Sequence, residues 1–383
     1  MIRQRSDIGR AQRIVVKIGS SLLADAAGED DGGVQVSRIQ RFADEIAALH
    51  AAGREVVLVS SGAVALGCVR LAWVGRALSV HEKQAAAAIG QPALMQAWKQ
   101  AFSEHGIGVA QMLLTADDLR HRRRYLNASN TSETLFAAGV VPVVNENDTV
   151  VVQEIKFGDN DNLGALVSLL VDADLLVITT DVDGLYDVNP VTDSDARRIP
   201  QVDEITSEVD AMAGSAGSDF GTGGMASKLK AARVATRGGV ATAIIGGDTP
   251  GALAALLAGE DVGTLFACGS DRQTRRQHWI AEVLNPAGRI EVDAGAARAL
   301  LERGASLLPI GVSNVQGGFD KGECVELVSD GRVIARGLCN YNADEMRKLA
   351  GVSSEAIEKV LGYRDFSSLV HRDNLVLLGQ QEE

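Results

Sequence analysis

The sequence predicts an α/β fold: an open, mainly parallel sheet sandwiched by helices, followed by a small β-rich domain. Three observations predict it. Short runs of β-branched, apolar residues alternate with segments of helical periodicity from residue 13 to residue 268. The runs are apolar nearly throughout, as strands are when helices cover both faces of a sheet. Past about residue 278 the pattern changes to short strands separated by glycine turns.

The elements follow in order. RIVVKI, residues 13–18, is the first strand, closed by Gly19. VSRIQRFADEIAALHAAG places Ile39, Phe42, Ile46 and Leu49 on one helical face, and Gly53 is positioned to end that helix. EVVLVSSGAVALG repeats strand, small-residue turn and helix, which makes a βαβ unit. KQAAAAIGQPALMQAWKQAF reads as helix, IGVAQMLLT as strand, NTSETLFAAG as helix, VVPVVNEND as strand, DNLGALVSLLVDA as helix and DLLVITTDVDG as strand. After a glycine-rich loop, ASKLKAARVATRGG reads as helix, and VATAIIGG and VGTLFAC as the last two strands. The expected domains are residues 1–270 and 278–370, the second with short strands and one early helix. DAAGEDDGG, after the first strand, reads as a solvated loop, and no internal repeat is evident.

Composition narrows the function. With 383 residues and 46% apolar content the chain can bury a large core, and its four cysteines, Cys68, Cys268, Cys324 and Cys339, show neither disulfide nor zinc spacing. The charged N-terminus and the interruption of the most apolar run by Asp172 and Asp174 leave no targeting or membrane segment, so a cytoplasmic protein is expected. A net charge of -13 disfavours a duplex nucleic-acid surface, and aromatics at 4% disfavour stacking platforms for single strands. A small-molecule enzyme is the remaining class.

In open α/β sheets ligands bind at the carboxyl ends of the strands. Lys17–Ser21, Ser60–Ala63, Asn145–Asp148 and Thr179–Gly184 occupy such turns. The loop GTGGMASK has Ser227 before Lys228, which excludes a P-loop but retains a donor-rich stretch entering a helix N-terminus, where an anion is favoured. Lys17, followed by Gly-Ser-Ser, and Lys228 are two candidate phosphate contacts, and brought to one sheet edge they would offset charge on a transferring phosphoryl group. In NENDTV and FGDNDNLGA, Asp148 is a candidate for an ammonium group, Asn160 and Ser61 for carboxylates, and Asp161 for holding both lysines; as turn and capping residues they have a purely local reading too. The six histidines form no triad or metal spacing and there is no G-x-S-x-G elbow. A carboxylate acceptor, ionised at neutral pH, would need no general base.

VVKIGSSLL, VSSGAVALG, EKQAAAAIGQ, AQMLLT, VPVVNENDTV, FGDNDNLGALVSLL, TTDVDGLY and FGTGGMASKL together resemble the amino acid kinase family, in the branch whose acceptor is L-glutamate, over nearly the whole chain. The resemblance implies the amino acid kinase fold, ATP with Mg²⁺ brought by the nucleotide, and phosphorylation of the glutamate γ-carboxylate, the first step toward proline; acetylglutamate, aspartate and carbamate are alternative acceptors in the family. It assigns Lys17 and the loop Thr222, Gly223, Gly224, Met225, Ala226, Ser227 and Lys228 to ATP phosphates, and Thr180 and Asp181 to the nucleotide side. Ser61, Asp148 and Asn160 fall to glutamate, and Lys17, Asp161 and Lys228 to the reacting groups, with no metal ligand in the protein. Ala226 stands where the family often has a hydroxyl, and the acidic stretch at residues 25–33 receives no role. Inhibition by proline and a homo-oligomer are further implications. GASLLPIGV and GGFDKGECVEL resemble a PUA domain, a class that elsewhere binds RNA. From residue 285 onward 11 Lys and Arg face 15 Asp and Glu, a net -4, so RNA is the weaker reading and a structural or regulatory role is expected.

Overall fold

The computed structural model describes residues 1–24, 33–150, 160–215, 224–268 and 284–378. The chain divides into two compact units, residues 1–116 with 128–270, and residues 117–127 with 271–383.

The first unit is built on an eight-stranded sheet of order β3-β4-β2-β1-β5-β7-β8-β6. Its strands are β1 (Arg13–Ile18), β2 (Glu55–Ser60), β3 (Val109–Leu114), β4 (Val141–Glu146), β5 (Leu175–Thr180), β6 (Gln201–Val202), β7 (Ala241–Gly246) and β8 (Thr264–Phe266). Every pairing is parallel except β7 with β8. β1 lies mid-sheet, with Ile18 opposite both Ser60 and Thr179, so the ends of β2 and β5 flank its own.

Side chains alternate across this sheet as strand geometry requires. Ile14, Val16 and Ile18 join a core completed by α2 (Val36–Ala51), α4 (Val80–Ser103) and α10 (Ala252–Leu257). Lys17 points to the other face, where α7 (Asn160–Leu170) and α9 (Met225–Arg237) pack against each other and the sheet. The remaining helices of this part of the chain are α1 (Ser20–Leu23), α3 (Ala63–Arg70), α5 (Ala116–Arg120), α6 (Arg122–Ala137) and α8 (Ser207–Ser215). The two-residue strand β6 and the helices α8 and α10 were not expected from the sequence. β6 exists through its pairing with β8, a non-local effect, and α10 spans only six residues, too short for periodicity to register.

Helices α3 and α4 meet backbone to backbone. A Cβ on Gly67 would overlap the Ala86 carbonyl, and one on Gly90 would overlap that of Ala63. Glycine is what allows this approach. Gly90→Ala should therefore cost about 1–3 kcal/mol through overpacking, read as a lowered urea midpoint at unchanged m-value.

The second unit holds a five-stranded sheet of order β10-β9-β11-β12-β13, made of β9 (Gly288–Val292), β10 (Val312–Gly317), β11 (Cys324–Ser329), β12 (Arg332–Cys339) and β13 (Val370–Leu377). β9 and β11 are parallel and the other neighbours antiparallel. The early helix expected here is α11 (Ala294–Arg303), capped by the Asp293 carboxylate, which accepts from the Ala296 N–H at 2.7 Å. Two further helices, α12 (Ala343–Leu349) and α13 (Ile357–Leu361), correct the expectation of one. Each is short; α12 is started by an Asn342–Glu345 capping box and ends among buried Met346 and Leu349.

Candidate active site

Four segments bring the candidate residues to the carboxyl edge of the first sheet. β1 carries Lys17, whose stem runs past Gly164 of α7; a Cβ there would lie 3.4 Å from the Lys17 Cβ. The start of α7 supplies Asn160 and Asp161, and the start of α9 supplies Gly224 as its N-cap, then Met225, Ala226, Ser227 and Lys228. The turn after β2 supplies Ser61 and Gly62, the latter at φ 104°, a left-handed conformation that favours glycine.

Asp161 is the hub. Its carboxylate, 1% exposed, forms ion pairs with Lys17 through Oδ1 and with Lys228 through Oδ2, the latter at 3.3 Å. It also accepts from the Ser227 hydroxyl at 2.7 Å. Both lysines are themselves buried. Burial is the largest influence on Asp161 and would raise its pKa, but the two ammonium groups and the Ser227 hydrogen bond outweigh it and hold the carboxyl below the usual range. The result is a buried cluster in which two lysines share one carboxylate at the sheet edge.

Beside it lies a cavity of about 280 Å³, bordered by Ser20, Ser61, Lys83, Asn145, Asp148 and Asn160 together with the first turn of α3. Behind its wall a chain of amides fixes the geometry. Asn160 Nδ2 donates to Ser61 Oγ at 2.8 Å, to Asn145 Oδ1 at 3.0 Å and to the Ser60 carbonyl at 3.2 Å. Asn145 Nδ2 in turn donates to Gln91 Oε1 at 2.7 Å, and Trp98 Nε1 donates to Ser60 Oγ at 2.9 Å. Since the Asn160 amide N–H groups already have protein acceptors, a carboxylate on Asn160 would have to replace one of them. Asp148, in the short 3₁₀ turn Asp148–Val150, has its carboxyl pushed up by burial to about 6. Such a group is still mostly ionised at neutral pH, and a cation arriving with the ligand would stabilise its charged form.

On the other side of β1, Thr180 ends β5 and its hydroxyl donates to Asp181 at 2.8 Å, while the Gly247 N–H holds the Thr180 carbonyl at 2.7 Å. Lys17, Asp161, Ser227 and Lys228 thus meet in one cluster, Ser61, Asp148 and Asn160 border one cavity, and Thr180 and Asp181 stand one strand away. Thr222 and Gly223 lie outside the described residues, as do residues 25–32 of the acidic stretch. Two participants were not singled out as site residues from the sequence, Lys83 and Gln91, and Ser227, expected at the ATP phosphates, is in addition a direct partner of Asp161. Lys83 and Gln91 lie within EKQAAAAIGQ, which reads as a helix and contributes to the family resemblance, but nothing local reveals which face meets the cavity.

Comparison with known proteins places the sequence in a class. Residues 12–247 match the model of the amino acid kinase family, and residues 288–361 that of the PUA domain. The chain belongs to the amino acid kinase family. Among curated proteins it is similar, end to end, to glutamate 5-kinases: that of Trichlorobacter lovleyi is 51% identical over 376 residues, covering 98% of this chain and 99% of the relative. That of Pseudomonas syringae pv. tomato is 52% identical over 376 residues, covering 98% of this chain and 100% of the relative. Among solved structures, a UMP kinase from Bacillus anthracis is similar with a TM-score of 0.47 and 17% identity, covering 68% of this chain and 97% of that one.

Proposed function

We propose that the protein transfers the γ-phosphoryl group of ATP to the γ-carboxylate of L-glutamate, giving L-glutamyl 5-phosphate and ADP, the first step of proline biosynthesis. The observation that carries the reading is the pair of buried lysines held on Asp161 beside an amino-acid-sized cavity, in a chain similar throughout to glutamate 5-kinases. In the reaction a carboxylate oxygen forms the new bond to phosphorus and the bond to the β,γ-bridging oxygen breaks. No proton moves, because the acceptor is already ionised. The obstacle is repulsion between anions, which Lys17 and Lys228 reduce from fixed positions, with Asp161 keeping both ammonium groups aimed. Asp148 receives the substrate ammonium and Ser61 a carboxylate oxygen.

The N-terminus of α9, with the loop from Thr222 leading into it, is assigned to the ATP phosphates, and Thr180 with Asp181 to the nucleotide side. Mg²⁺ arrives with the nucleotide, held mainly by phosphate oxygens and water. When bound it screens phosphate charge. Among the described residues no helix is long and apolar enough to cross a membrane, and we assign the protein to the cytoplasm. A homo-oligomer, feedback inhibition by proline and a structural or regulatory role for the C-terminal domain complete the proposal.

Trapping the acyl phosphate with hydroxylamine tests it. Protein with Mg-ATP should yield hydroxamate with L-glutamate and not with N-acetylglutamate or L-aspartate; the reverse pattern overturns the acceptor assignment. In the same assay Asp148→Asn should raise the glutamate KM about 10- to 100-fold, the loss of one charged hydrogen bond, and leave the ATP KM unchanged. The pH profile supplies the sign. Asp148 titrates near 6, so below that pH the free protein progressively loses the anion that binds ammonium, and kcat/KM for glutamate should fall toward acid; Asp148→Asn should remove that limb.

A further inference from the structure

We propose that Lys83 anchors the α-carboxylate of the acceptor and so selects for a substrate with two carboxylates. The inference rests on the glutamate reading above. Of the described side chains bordering the cavity, Glu146 and Asp148 are acidic and Lys83 is basic. L-Glutamate brings two carboxylates and one ammonium. The chemistry sends the γ-carboxylate to the Lys17–Asp161–Lys228 cluster, whose sequence neighbours Ser20 and Asn160 border the cavity. The ammonium goes to Asp148. The α-carboxylate is then left to the groups on α3 and α4.

Lys83 is suited to it. A capping box at the start of α4 fixes its place: Ser79 Oγ accepts from the Glu82 N–H, the Ser79 N–H donates to Glu82 Oε2 at 2.8 Å, and the Lys83 N–H donates to the Ser79 carbonyl at 3.0 Å. Its side chain is partly buried, and among the described residues its ammonium has no ion pair or hydrogen bond, so its charge is free to meet an anion from outside. α4 packs on α3 and on the 3₁₀ turn that carries Asp148, which puts Lys83, the ammonium receptor and the first turn of α3 on neighbouring elements. At this depth an ion pair is stronger than in bulk water, so a lysine here discriminates between a charged and a neutral group at the α-carbon.

The test compares Lys83→Met, which keeps the stem and removes the charge, with wild type and Lys83→Arg. L-Glutamate and 4-aminobutanoate, which is glutamate without its α-carboxylate, are each measured by hydroxamate formation, or as an inhibition constant where turnover is too slow. Lys83→Met should lower kcat/KM for L-glutamate about 10- to 100-fold, mainly through KM. The constant for 4-aminobutanoate and the ATP KM should change less than about threefold, since neither involves the lost ion pair. Lys83→Arg should recover much of the preference. An equal loss for both acceptors, or a preference that survives in Lys83→Met, overturns the role of Lys83 alone. No hydroxamate from wild type with L-glutamate overturns the underlying reaction instead.

Discussion

Lys228→Ala should lower kcat about 100- to 1,000-fold, the loss typical when one preorganised group is removed from charge developing in a transition state. The ammonium group is buried, 3.3 Å from Asp161 and at the first turn of α9, whose N-terminal N–H groups favour the same anion. Removing it leaves Asp161 paired with Lys17 and bonded by Ser227, so no charge is stranded and the fold should survive. Steady-state kinetics in ATP and in glutamate, with a thermal melt alongside, separate the two effects. If kcat stays within threefold of wild type, Lys228 has no part in transfer and the assignment of its helix to ATP phosphate falls with it.

Asp161→Ala should do more damage to the fold than any other single change in the cluster. It would take from the buried Lys17 and Lys228 the carboxylate they share, and removing one partner of a buried ion pair costs about 3–5 kcal/mol. The lysines would lose their orientation too, so turnover should fall at least as far as in Lys228→Ala. Denaturant unfolding at several pH values gives an independent check. The folded-state pKa of Asp161 is depressed, so its contribution to stability is fully present above the unfolded carboxylate value near 4 and is lost as pH falls through the depressed one. The stability gap between wild type and Asp161→Asn should therefore be constant near neutrality and close in acid. A gap that widened toward acid would mean that the lysines do not control this carboxyl.

Much of this architecture was legible in the residues, and the reason is local. RIVVKI and LLVITT are continuous apolar runs ending at small or polar turns, and each forms a strand within the expected stretch. Lys17 stood out because Gly-Ser-Ser follows it directly at a strand end, and in the structure its buried ammonium pairs with Asp161. What escaped depends on contacts remote in sequence. β6 needs β8, and Lys83 acquires its setting only when α4 packs on α3. The orientation of Asn160 was equally unreadable, because its partners Ser60, Ser61 and Asn145 come from two other strand ends.

The glycine contact between α3 and α4 has a consequence for how acceptor preference can change. With Gly67 and Gly90 bringing the backbones together at two points, the two helices form one closely packed plate, whose cavity side carries the first turn of α3 and Lys83 together. Enlarging the acceptor space by wedging the plate open would strain two backbones at once. Selection or engineering toward a different acceptor is thereby channelled to exchanges on the plate's cavity side, where a single side chain alters charge or reach while the helices stay in register.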